Sequence, residues 1–219
     1  MHRILTTIFV IALCPTALAD RWGGQARTRP MDSAQQGIVA TAMAQLEASF
    51  PNLVGTTLSW NDIVVENIEV SDLHGAASPD FAGLIGVDFE DLDGFDLEST
   101  VFFILFHEIQ HAADLADNDL TLQDGCAFHC RHMEIYWQMF QMVCDGVNNP
   151  NVYTYVYVPL DACEWLCETI DLVWSGDTTS SESFDWLECV NAGECPPGTP
   201  NPFSGGGVPT YPAPDCCDC

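Results

Sequence analysis

An α+β fold, with a small sheet packed on a buried helix and a disulfide-stapled helical part after it, is what this sequence predicts. Three observations lead there. Residues that favour strands crowd 53–70 and 84–89. An uncharged run at 101–113 is interrupted by only two histidines and one glutamate. Two Cys-x-x-x-Cys pairs, Cys126/Cys130 and Cys163/Cys167, stand at helical spacing in the second half.

At the start, Met1-His2-Arg3 is a short basic region, residues 4–18 are mostly apolar, and Ala17-Leu18-Ala19 offers a small-x-small cleavage site. This pattern predicts a signal peptide over 1–19 and a secreted protein, extracellular or periplasmic. Leu13 before Cys14 argues against a lipid anchor, and no later stretch reaches membrane-spanning length. Residues 20–190 are enough for one domain with its own core. The remainder, 191–219, is a tail rich in Pro, Gly and Cys that depends on its cysteines for order.

Within the domain, Asp32 or Ser33 can cap a helix whose apolar positions Ile38, Val39, Ala42, Met43 and Leu46 recur at helical spacing before Pro51. Thr56, Thr57, Leu58, Trp60, Ile63, Val64, Val65, Ile68 and Val70 favour strands, with Asn61-Asp62 as a turn, and 84–89 reads as another strand. Six acids, Asp88, Glu90, Asp91, Asp93, Asp96 and Glu98, precede the apolar helix, where negative charge complements the helix dipole. A Ca2+ site there is a second reading, although the order of acids around Gly94 does not match an EF-hand loop. Ser99 or Thr100 can cap the helix. Residues 126–147 carry apolar side chains at helical spacing, 151–160 alternate Tyr and Val as an extended segment, and Asp161 caps a helix through Trp174. A short element follows at 184–190.

Cleavage after Ala19 would remove Cys14 and leave an even set of cysteines, for which disulfides are the default. If the helices bearing the two pairs run antiparallel, Cys130 meets Cys163 and Cys126 meets Cys167. A four-cysteine zinc site is the competing arrangement. The chain has no lysine, and its five arginines stand against 32 acidic residues for a net charge of −27. That balance excludes nucleic acid and anionic membranes as partners. It suits a salty or calcium-rich exterior, and equally it suits simple solubility.

The chemistry concentrates in His107-Glu108-x-x-His111. On a helix the two imidazoles lie one above the other and can converge on one ion, with Glu108 a position away, able to reach water at the metal without being a ligand. Chance alone would produce such a pentad in this composition roughly once in 100 chains. The motif resembles that of the zincin-like zinc metallopeptidases, a resemblance covering this helix and the next. It implies a small mixed fold with a sheet above the metal helix, Zn2+ as cofactor, peptide or protein substrates, and Glu108 as general base.

Such a site needs a third protein ligand. Glu134, on the following predicted helix, resembles the glutamate ligand of the gluzincin branch and is the expected choice. Asp117 occupies the third-ligand place of the metzincin pattern, although Asp114 stands where that pattern turns at glycine. Asp124 resembles the aspartate of aspzincins, and His129 and His132 are apt ligands that can also line the site. Asp114, one turn beyond His111, can accept an imidazole N–H in support of the ligands. Tyr136, His132 or Arg131 can steady an oxyanion. Two rivals remain: a non-catalytic secreted module that binds calcium or a basic partner, with any zinc structural, and a zinc hydrolase acting on something other than peptides.

Overall fold

The computed structural model describes residues 22, 26–70, 74–92, 97–118, 120, 124–148, 189 and 192–195. Its elements run β1 (Arg27–Arg29), α1 (Ser33–Ser49), a 3-10 turn (Trp60–Asp62), β2 (Val64–Glu69), β3 (Gly75–Ala77), β4 (Leu84–Val87), α2 (Leu97–Asn118) and α3 (Cys126–Asn148). The expected α+β mixture is present, as one mixed sheet with helices packed against it.

The strands lie in the order β1-β2-β4-β3. β2 and β4 are parallel, with Val65 opposite Ile85 and Asn67 opposite Val87, and the outer pairs are antiparallel. Side chains alternate across a strand, so Ile85 and Val87 join the main core with α2, while Leu84 packs on the other face with Ile68, Ala26 and Trp22. Both faces of β4 are therefore covered, which is why all four of its residues are buried and none is charged. Gly86 is needed there because a Cβ would run into the Ile68 side chain.

α1 begins at a capping box. Asp32 Oδ1 accepts from the N–H groups of Ala34 and Gln35 at 2.8 and 2.9 Å, and Gln35 Oε1 accepts from Asp32 N–H at 3.0 Å. Val39, Ala42 and Leu46 form its buried face. Phe50 follows the helix and meets Phe106 of α2 edge-on, ring centroids 5.3 Å apart. α2 is buried at every position from Ser99 to Gln110, packed between the sheet, α1 and α3. No helix among the described residues is long and apolar enough to cross a membrane.

Four points differ from expectation. α2 already begins at Leu97, so Ser99 and Thr100 lie inside it and are not its caps. Residues 51–57 form turns instead of a strand, because the Thr56 and Thr57 N–H groups are taken by the Asp117 carboxylate at 2.8 and 2.7 Å, leaving no ladder for them to join. β1 and β3 were not anticipated: Arg-Thr-Arg and Gly-Ala-Ala carry no alternation, and only pairing with their neighbours makes them strands. The cysteines of α3 bond neither Cys163 nor Cys167. Cys126 is joined to Cys189 and Cys130 to Cys195, so the helical spacing is matched by the segment 189–195 and not by Cys163 and Cys167. Those sulfurs are not thiolates, which also removes the four-cysteine zinc site. The signal peptide, the expected elements at 151–160 and 161–174, and Cys163 and Cys167 lie outside the described residues.

Candidate metal centre

Two helices build the site. α2 presents His107 and His111 one turn apart, and α3 presents Phe128, His132 and Tyr136 at the same four-residue spacing along one face. Where those faces meet, His107 Nε2 lies 3.0 Å from His111 Nε2 and 2.8 Å from His132 Nε2. One nitrogen from each ring lies within 4.8 Å of the other two, a group able to hold a metal ion. Among the described residues it is the only such group of three. Tetrahedral zinc with nitrogens at its usual bond length separates them by about 3.3 Å, a few tenths more than the two close pairs here.

The chemistry of the donor set fits a cation as well as the spacing does. Burial, and then the proximity of His132 and His111, hold His107 well below the usual histidine range. His111 is lowered to about 4 by burial and by the Arg131 guanidinium. His132 is lowered by burial, then by His111 and His129. All three rings are thus neutral near pH 7, with a lone pair each to offer. A ring nitrogen has one proton or one lone pair, so His107 Nε2 cannot form two linear hydrogen bonds with both neighbours. A cation receiving three lone pairs satisfies the whole cluster.

Aromatic rings enclose the histidines. Phe128 stacks on His111 at 5.2 Å with 19° between planes, and Tyr136 lies 4.7 Å from His107 and 4.8 Å from His132. Glu108 is buried beside His107. The edge strand β3 passes directly over it: a Cβ on Gly75 would meet the Ile104 side chain and stand 3.3 Å from Glu108 Cγ.

The structure distributes the other candidates elsewhere. Glu134, the expected third ligand, is outside the three-histidine group, and its carboxylate accepts from Arg131 Nη1 at 3.3 Å. The step of two positions from His132 to Glu134 turns a helix by about 200°, so both side chains cannot address α2 at one point. Asp114 accepts from Arg131 Nε at 2.7 Å, in place of the expected imidazole N–H. Asp117 is engaged with Thr56 and Thr57, away from the cluster. Asp124 is exposed just before α3. His129 packs edge-on to Phe128, with centroids 5.8 Å apart. Of the acids considered for calcium, Asp88 accepts from Val70 and Glu90 N–H, Glu90 pairs with Arg29, and Asp91 lies 3.6 Å from His74. His132 as a member of this group was legible only through the stripe Phe128-His132-Tyr136, an aromatic face that a merely packed helix also shows.

No protein-family model, no curated protein and no solved structure matches this chain.

Proposed function

We propose that this chain is a zinc-dependent metallopeptidase of zincin-like architecture, exported to an oxidising compartment, with His107, His111 and His132 as its zinc ligands. The observation that carries the reading is the convergence of three neutral imidazole nitrogens, two of them from the helix that also bears the buried Glu108. Two disulfides on α3 agree with an oxidising destination.

Zinc bound there would polarise a carbonyl and lower the pKa of a water, and three protein ligands leave a fourth position open for that chemistry. Glu108 takes the proton of the attacking water and returns it to the departing nitrogen, the role for which a carboxylate next to the ligands but outside the ligand set is suited. Tyr136, against both His107 and His132, is the residue to donate a hydrogen bond to the developing oxyanion. Arg131, with three acceptors of its own, is not placed for that task. Among the described residues β3 is an edge of the sheet and runs over Glu108, so an extended peptide can add to it as a further strand and bring its scissile bond to the site.

Glu108→Gln separates catalysis from bracing. The variant should bind zinc as the wild type does and lose peptide hydrolysis by roughly 100-fold or more. A wild type that binds zinc but cleaves nothing in a broad peptide mixture would favour the rival reading of a structural metal in a non-catalytic module, to which the flanking disulfides would lend a bracing role. Cleavage of esters or sugars without cleavage of peptides would instead move the same site to another hydrolase class.

A further inference from the structure

After Arg29 the chain contains one lysine or arginine, Arg131, and that residue immediately precedes His132. In a protein of net charge −27, so isolated a cation is conspicuous by position alone. Its guanidinium is spread over three acceptors. Nε donates to Asp114 Oδ2 at 2.7 Å, Nη2 to Gln110 Oε1 at 3.1 Å and Nη1 to Glu134 Oε2 at 3.3 Å. Gln110 and Asp114 lie one turn apart on α2 and flank His111, and Gln110 is buried, its amide nitrogen directed to Phe106 O at 3.4 Å.

We propose that Arg131 is a positioning residue for the metal centre: it staples the two ligand-bearing helices so that His132 of α3 is held against His107 and His111 of α2. The inference rests on the metal-centre reading above. Two ligands from one helix are set by that helix, but the third comes from a separate element whose rotation and translation must be fixed by contacts between the helices. Arg131 supplies such contacts at the adjoining residue. With side chains only 27% and 15% exposed, the Arg131–Asp114 pair is shielded from the solvent that weakens surface ion pairs. A planar fork with separate nitrogens can serve three acceptors spread along it in fixed directions, whereas the three N–H donors of a lysine radiate from one nitrogen and cannot span them. The carboxylate once expected to support the ligands directly, Asp114, acts in this arrangement through the guanidinium.

The test is zinc affinity by chelator competition, together with the visible spectrum of the Co2+-substituted protein, for the wild type, Arg131→Met, Arg131→Lys and Arg29→Met. Arg29→Met breaks ion pairs to Glu69 and Glu90 that lie outside the metal cluster, and so measures what losing an ion pair does in general. Arg131→Met should lower zinc affinity roughly 10–100-fold and change the cobalt spectrum while both disulfides remain formed, the size of effect seen when groups supporting metal ligands are removed. Arg131→Lys should recover only part of the loss, and Arg29→Met should bind as the wild type. Equal affinity in Arg131→Met and the wild type, full recovery by lysine, or an equal loss in Arg29→Met would each overturn the staple while leaving the metal centre intact. A wild type that binds neither metal overturns the metal-centre reading and this inference with it. Should Arg131→Met fail to fold, Gln110→Leu and Asp114→Asn each weaken one arm, and wild-type affinity in both would overturn the proposal.

Discussion

At the scale of single residues, the third ligand separates the reading of the motif from the reading of the fold. His132→Ala should reduce zinc affinity by at least ~100-fold, because it removes a donor of the set. Glu134→Ala should reduce it by less than ~10-fold, since it takes away only the longest of the three arms of Arg131. The reverse ranking in chelator competition would restore the glutamate. The same imidazoles determine how the metal-free protein responds to acid. Burial depresses their folded-state values, so as pH falls the unfolded chain takes up protons first, from about 6.5 downward, while folded His111 resists until about 4. Their contribution to stability is therefore complete above pH 6.5 and is lost progressively as the pH falls below it, through about 4 for His111, which alone is worth on the order of 3 kcal/mol. Urea unfolding of the metal-free protein at pH 7, 5.5 and 4.5 should show midpoints moving steadily down, and a flat profile would contradict neutral buried rings.

At the scale of elements, α3 is held from two sides. Arg131, His132 and Tyr136 face α2, while Cys126 and Cys130 bind the segment 189–195. The bridges close loops with sequence separations of 63 and 65, nearly the same loop twice. The first closure removes most of the entropy of the unfolded chain, and the second restricts only the short ring that remains. Losing either bridge should therefore cost roughly 2–3 kcal/mol and losing both roughly 6–7 kcal/mol in the loop-entropy description. Denaturant titrations of Cys126→Ser with Cys189→Ser, of Cys130→Ser with Cys195→Ser, and of all four together measure this, and a quadruple variant no weaker than either double would refute it. In the sheet, Gly86→Ala should destabilise by about 1–3 kcal/mol, because β4 has no room to move away from Ile68 with both faces packed.

At the scale of the whole molecule, self-repulsion among 32 acids and five arginines opposes the compact state. Added salt shortens the reach of that repulsion, from about 30 Å at 0.01 M to about 3 Å at 1 M. The melting temperature should therefore rise with NaCl concentration, and a fall over the same range would show that specific ion pairs such as Arg131–Asp114 outweigh the general field.

The elements whose signals are local could be read without coordinates. A helix cap at Asp32, an uncharged run over 101–113 broken only by His107, Glu108 and His111, and the apolar stretch 84–87 each follow from neighbours a few positions apart, because hydrogen bonds and periodic burial act at that range. His107 and His111 on one helix face were legible in the same way. The pairing of β1 and β3, the cysteine partners and the meeting of His132 with His107 and His111 depended on chain segments tens of residues apart coming together. Spacing along a helix says which side chains share a face, but it does not say which face meets the neighbouring helix. Here that was settled by where a lone arginine finds its acceptors and by which side of α3 the disulfides hold.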